Sequence, residues 1–123
     1  MNWIEKEDTI IFDCKFNKKL DIKLISTYEK LIFSDYKLNK ELFERYTNCN
    51  FDGLIYKENE FNQDVYELPP TLTLINFGYY FNKDVSKLPP FLTHLTFGSC
   101  FNRDVSSLPH NLIHLTFGYH FNQ

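Results

Sequence analysis

Strong charge of either sign is missing from this sequence. A net charge of −3 over 123 residues is too small to predict a nucleic-acid partner or long-range steering of a ligand, and no basic stripe is present. No apolar run approaches the roughly 18 residues that a membrane-spanning helix needs. The three cysteines, Cys14, Cys49 and Cys100, are far apart, odd in number and without metal-ligand spacing. With no signal-peptide pattern at Met1–Thr9, they point to a reducing, intracellular compartment, cytoplasmic by expectation. Phosphate-cradling glycine loops are absent. Glycine itself is scarce: of four, Gly53, Gly78, Gly98 and Gly118, the last three are twenty residues apart.

What is present is aromatic and periodic. Thirteen Phe and eight Tyr give an aromatic share of 18%, and much of it recurs at fixed places. FNQDVYELPPTLTLINFGYY is followed by FNKDVSKLPPFLTHLTFGSC and FNRDVSSLPHNLIHLTFGYH, and a fourth FNQ follows. Phe61, Phe81, Phe101 and Phe121 recur every twenty residues, each followed by an asparagine, Asn62, Asn82, Asn102 and Asn122. Self-similarity at such a period marks a solenoid, whose units bury their apolar faces only against one another. Charge is unevenly divided, with ten Lys/Arg and twelve Asp/Glu in residues 1–60 against three and four in residues 61–123. The repeat surface is therefore paved with Thr, Ser, Asn, His and Tyr.

The repeat can be laid over the front half. Ile11-Phe12-Asp13-Cys14-Lys15-Phe16-Asn17-Lys18-Lys19-Leu20 aligns with the segment from Asn76 to Val85, and Leu38-Asn39-Lys40-Glu41-Leu42 repeats the end of the unit. The asparagine series becomes Asn17, Asn39, Asn62, Asn82, Asn102 and Asn122, with gaps of 22, 23, 20, 20 and 20. About six coils are expected on this reading. Residues 1–60 are then degenerate N-terminal coils, or alternatively an independent cap, in front of the regular repeats of residues 61–123. Asn39 can cap a short helix at Lys40–Tyr46, where Leu42, Phe43 and Tyr46 form an apolar stripe. A turn of helix also fits Ile22–Lys30, and Asp52-Gly53 reads as a turn. In the regular coils a helical or 3-10 turn is expected around Val65–Leu68, Val85–Leu88 and Val105–Leu108.

Within one coil, Leu95-Thr96-Phe97 alternates with period two. This predicts a short strand with Leu95 and Phe97 inward and His94 and Thr96 outward. Gly98 ends it at a tight bend or a left-handed residue. Phe101 turns back into the core, Val105 and Leu108 close the far side, and Pro89-Pro90 sets an extended corner where no N–H is needed. Strands stacked at about 4.8 Å would make six coils a rod of only about 25–30 Å. The inward positions form columns, Ile75, Leu95 and Leu115 in one, Phe77, Phe97 and Phe117 in another, and Phe61, Phe81, Phe101 and Phe121 in a third. Asn17, Asn39, Asn62, Asn82, Asn102 and Asn122 are read as structural, satisfying backbone groups at the corner.

The Phe-Asn pair and the run Leu88-Pro89-Pro90-Phe91-Leu92-Thr93-His94-Leu95-Thr96-Phe97-Gly98 resemble the FNIP repeat family. These are relatives of the leucine-rich repeats known from social amoebae and giant DNA viruses. The resemblance covers residues 61–123 and departs from the family's Phe-Asn-x-Pro at Asp64, Asp84 and Asp104. It implies a leucine-rich-repeat-like solenoid with short parallel strands and an irregular or 3-10 convex side. It also implies that many relatives carry an F-box ahead of the repeats and recruit a ubiquitin ligase. Residues 1–60 contain no Leu-Pro-x-Glu-hydrophobic opening, so the chain would be the substrate-recognition part of such an adaptor without a recognisable F-box.

No catalytic, cofactor or metal set is expected. His94 and His114 share an outward column, with His110 and His120 in the last unit, but no Cys, Asp or Glu joins them by register. Stacked Asp84 and Asp104 read as a rim beside Lys83 and Arg103, and Cys100 as filler between Tyr80 and His120. The expected activity is non-enzymatic protein binding through the repeated strand face. Its candidate residues are Leu74, Asn76, Tyr79, His94, Thr96, Ser99, His114, Thr116 and Tyr119, and neither nucleic acid nor membrane is an expected partner. A self-associating module, joined through the last coil, is the alternative. For the scaffold, truncation of Phe101 to Ala is expected to cost roughly 3–5 kcal/mol through the cavity it opens, measurable as a fall in the urea midpoint.

Overall fold

A computed structural model describes residues 3–37 and 55–123. Six strands form one sheet in chain order: β1 (Trp3–Lys6), β2 (Thr9–Phe12), β3 (Lys30–Phe33), β4 (Leu74–Asn76), β5 (His94–Thr96) and β6 (His114–Thr116). β1 folds back antiparallel on β2, and every later pairing is parallel. The chain is thus a solenoid that adds one strand per coil. The sheet is in strict register, with Ile10, Leu31, Ile75, Leu95 and Leu115 side by side. Period-two alternation puts these residues inward, and the first four are at most 1% exposed.

Phenylalanine fills the space beneath the sheet. Phe77 stacks on Phe81 of the same coil at 3.8 Å between centroids, and Phe97 on Phe101 at 3.8 Å. Phe12–Phe16, Phe33–Phe61 and Phe117–Phe121 repeat the pair. Neighbouring coils add parallel contacts, 5.7 Å for Phe77–Phe97 and 6.2 Å for Phe81–Phe101. Rings fit here because all coils present the same residue at the same height. Each fully buried Phe contributes about 1.5–3 kcal/mol, so this double column is the main source of stability.

The corner asparagines hold the coils in line. Asn17 Oδ1 accepts the N–H of Asn62 at 2.9 Å, and the same bond joins Asn62 to Asn82, Asn82 to Asn102 and Asn102 to Asn122. Asn17 is bonded directly by Asn62; Asn39, the Lys40–Tyr46 helix, Cys49 and the Asp52-Gly53 turn lie outside the described residues. Five parallel strands and five corner asparagines therefore make about four turns, not six. Between Phe33 and Phe61 the chain advances 28 residues, against four between Phe77 and Phe81. The stretch between that pair is thus 24 residues longer, and residues 38–54 within it lie outside the described residues.

Asp35 and Asn59 anchor the described ends of that insertion. Asn59 is fully buried; its amide nitrogen donates to the carbonyls of Ser34 (2.8 Å) and Asp13 (3.3 Å), and its Oδ1 accepts the N–H of Phe61. Asp35 Oδ1 accepts the N–H groups of both Asn59 (2.8 Å) and Tyr79 (3.0 Å). The carboxylate thus ties the insertion to the following coil. Tyr36 and Tyr56 form an isolated antiparallel bridge between these two ends.

The turn of helix expected within Ile22–Lys30 forms as α1 (Ile22–Ile25), with Asp21 Oδ1 accepting the N–H of Leu24. Two other local expectations change. Val65–Leu68 and its copies form plain turns instead of helical or 3-10 turns. At two of these turns the following side chain takes over: Ser86 gives both its N–H and its hydroxyl to Asp84, and Ser106 does the same to Asp104. The proline corner is a tight turn, not an extended segment, closed by Leu72 N–H on Pro69 C=O (3.3 Å) and Leu92 N–H on Pro89 C=O (3.5 Å). Proline suits the second position of such a turn because its φ is already set.

The glycine column answers to close approach between coils. A Cβ on Gly98 would fall on the carbonyl of Gly78 and the Cα of Tyr79, and one on Gly118 would fall on Gly98. These obstacles are backbone and cannot swing aside. Gly98→Ala should therefore cost about 3 kcal/mol; an unchanged denaturation midpoint would show that the coils do not stack this closely. A second prediction concerns Asp35, whose carboxyl burial pushes above its ordinary range while the N–H groups of Asn59 and Tyr79 pull it down. A carboxyl whose pKa is raised by folding favours the fold when protonated. Its stabilisation is present in acid and lost as pH rises through the raised pKa. Asp35→Asn keeps an acceptor without the charge, so thermal melts should show it at least as stable as the parent at neutral pH, with the difference closing in acid. Asp35→Ala leaves two N–H groups unpaired and should cost about 1–3 kcal/mol.

Candidate interaction face

The outward side of the sheet is built from the alternate residues of the same strands. Register places Leu74, His94 and His114 in one column and Asn76, Thr96 and Thr116 in the next. The two columns continue backwards through Lys30 and Ile32 to Thr9 and Ile11. Exposure changes along them. Thr9 and Ile11 are buried, at 4% and 0%, the residues of β3, β4 and β5 are half-buried, and those of β6 are exposed. The face is therefore closed at β2 and opens towards β6.

Its best-ordered feature is the pair His94 and His114, whose rings lie 4.5 Å apart and 29° from parallel. The Thr93 hydroxyl donates to the carbonyl of Thr73 at 3.1 Å, which uses its only hydrogen. Its oxygen is then the acceptor in the 2.9 Å contact with His94 Nδ1, and the neutral ring carries its hydrogen on Nδ1. His120 is fixed differently, through Nδ1 on the carbonyl of Ser99 at 2.9 Å. Of the last coil's histidines, His114 therefore stacks on His94 while His120 is held at the Ser99 carbonyl. Among the described residues, no group of three or more His, Cys, Asp or Glu is placed to hold a metal ion.

Beyond the glycine corner lies a second row, Tyr79, Ser99 and Tyr119. Tyr79 meets Tyr80 edge-on at 4.9 Å, and Tyr119 meets His120 in the same way at 5.1 Å. Tyr119 is 89% exposed. The row extends further than the repeats: Tyr36 and Tyr56 pack edge to face at 5.7 Å. Burial, then the charges of Asp35 and Glu58, push the Tyr56 phenol upward. Tyr36 and Tyr56 were invisible to the repeat pattern because the insertion breaks it; the only signal was a pair of tyrosines on either side of a stretch too long for one corner.

The other candidate chemistries separate in space. Asp84 and Asp104 each turn to their own serine, and the Ser106 N–H and hydroxyl lower the Asp104 carboxyl. Arg103 Nε donates to the carbonyl of Asn82 at 3.2 Å. Burial pushes the thiol of Cys100 up, away from the reactive thiolate. A cleft of about 190 Å³ on the irregular side, between Lys19, Ile22, Tyr66 and Glu67, is smaller than a small-molecule site of about 300–1,000 Å³. A wider groove of about 580 Å³ beside Asn17, Lys57, Glu58, Glu60, Asn62 and Tyr80 has polar walls where ligand sites are mostly apolar. No helix among the described residues is long and apolar enough to cross a membrane.

The repeat geometry agrees with comparisons to other proteins. The FNIP Repeat family model matches residues 61–100 and 84–120. No curated protein matches the chain. A solved giant-virus structure described as CroV588, a novel circular LRR protein, is similar over the whole chain, with 33% identity and a TM-score of 0.62. The match takes up 19% of that protein, so this chain spans about a fifth of its length. With the Phe-Asn corners, the glycine column and the parallel register all in place, the chain is an FNIP repeat-containing protein with a leucine-rich-repeat-like solenoid fold.

Proposed function

We propose that the chain is a protein-binding scaffold, with its partner lying across the outward face of β4 to β6 and the aromatic row beside it. The observation that carries this reading is the fully presented ring of Tyr119, 89% exposed, on a corner whose backbone is held from beneath by the asparagine and glycine columns. An aromatic side chain on a rigid corner brings a large contact area at little entropic cost. Leu74, His94 and His114 supply a mixed apolar and polar surface next to it. The low net charge of the repeats suits a protein surface better than a phosphate backbone. The double variant Tyr79→Ala and Tyr119→Ala is the test, because neither side chain is buried and the backbone bond from Tyr79 to Asp35 survives. Binding of a partner captured from the native cell should weaken by about thirtyfold or more, as for an interface hot spot, with the melting curve unchanged. Unaltered binding would remove this surface from consideration.

A second reading, self-association as a structural module, is favoured by the state of the last coil. Leu115 is 41% exposed, whereas its equivalents Leu95 and Ile75 are each at 1%. Sedimentation of the purified chain tests this reading, and a strict monomer at all concentrations would end it.

A further inference from the structure

We infer that the stacked rings of His94 and His114 form a two-imidazole site for a borderline divalent metal ion of the zinc class. The inference rests on the geometry of that pair and not on the partner-binding reading. Two protein ligands are involved, since among the described residues no group of three or more His, Cys, Asp or Glu is placed to hold a metal ion. The two histidines are register partners on β5 and β6, with ring centroids 4.5 Å apart and planes 29° from parallel. Tetrahedral zinc, with Zn–N bonds of about 2.0–2.1 Å, needs its two nitrogens about 3.3 Å apart. That distance is within reach of a tilt of one ring.

His94 is already in the tautomer that a metal requires. The Thr93 hydroxyl gives its hydrogen to the Thr73 carbonyl, so its oxygen accepts from His94 Nδ1 at 2.9 Å. That leaves Nε2, the nitrogen farther from the backbone, with an unprotonated lone pair. A metal-ligating histidine is held in this way through its other ring nitrogen, which fixes the ring and raises its basicity. Ile113 precedes His114 where Thr93 precedes His94, so no threonine hydroxyl restrains the second ring. That ring is exposed and can turn. One ligand is thus pre-positioned and the other adjusts to it.

The surroundings select the class of ion. Imidazole suits zinc, copper and nickel, whereas magnesium and calcium demand sets of oxygens, and the neighbouring outward column supplies only the hydroxyls of Thr96 and Thr116. In the histidine column, Leu74 lies next to His94 and Lys30 beyond it. Lys30 is therefore two strand spacings, about 10 Å, from His94, with its ammonium 3.6 Å from Asp8. It does not oppose a cation at the pair. Two neutral imidazoles leave the ion its whole charge and two open positions, which water or a carboxylate would fill.

In the test, zinc is titrated into the full chain at about pH 7.5, because its ligands must be deprotonated, with a phosphine keeping the thiols reduced. Nitrogen NMR should show Nε2 of His94 and one ring nitrogen of His114 shifting together as a single equivalent binds, with His94 Nδ1 still protonated. His94→Gln or His114→Gln should each weaken this binding by about a hundredfold, because the chelate becomes a single contact, with the circular dichroism spectrum unchanged. Thr93→Val, which removes the acceptor for Nδ1–H, should weaken it by about tenfold. His120→Gln should leave it unaltered. Binding that survives both His94→Gln and His114→Gln, or that is lost with His120→Gln, would overturn the site. So would a shift confined to one of the two rings, or no shift at millimolar zinc. The partner-binding reading stands or falls separately, on Tyr79 and Tyr119.

Discussion

The hydrogen bond that each corner asparagine's Oδ1 accepts from the N–H of the asparagine one coil later is the constraint on which the rest depends. Its length stays between 2.9 and 3.0 Å in all four instances. A single bond of this kind is worth about 1 kcal/mol net, less than one buried phenylalanine, so its importance lies in register rather than in energy. Donor and acceptor sit on the same residue type in successive coils, which means that the bond fixes where a coil must close and says nothing about the path taken. That is why 45 residues can separate Asn17 from Asn62 while twenty separate the others. Once the corner is fixed, the phenylalanines of neighbouring coils lie at the same height and stack, and the stacking supplies the energy.

How much of this was legible follows from the same distinction. Features set by the period were readable: the inward columns of Leu and Phe, the outward alternation of His94 and Thr96, and the corner role of asparagine. Features set by contact between distant segments were not. Leu38-Asn39 imitates the Phe-Asn end of a unit, and nothing local distinguishes a corner asparagine from another polar residue. What separates the true corner is Asn59, whose side chain packs against Gly78 and bonds to Ser34, Asp13 and Phe61 at once. The glycines teach the same lesson, since the bend suggested a special backbone conformation and the actual demand is the carbonyl of the previous coil. Of the candidate face, the repeat positions were legible and Tyr36 and Tyr56 were not, because the insertion removes them from the period.

The solenoid also separates what may vary from what may not. Phe81, Phe101, Gly98 and the asparagines contact the coil before and the coil after, so a change at one is felt twice. His94, Tyr79 and Tyr119 contact the scaffold through their backbone and present their side chains outward. Between coils these positions read Leu, His, His and Tyr, Ser, Tyr, while the scaffold positions stay constant. The burial of Thr9 and Ile11 confines this freedom to the β3–β6 part of the sheet.

A stack of identical coils contains no internal instruction to stop, because each coil leaves the next the same bonds it received. β1 breaks this rule: it runs antiparallel to β2, carries exposed Glu5 and Lys6, and turns at Glu7 directly into β2. β6 keeps the rule. Phe121 still stacks on Phe101 at 6.2 Å and Asn122 still donates to Asn102, so the last coil is as ordered as those behind it. The regularity that stabilises the interior therefore sets the two sides of the sheet apart, with β1 joined antiparallel and β6 held in the same parallel register as the strands before it.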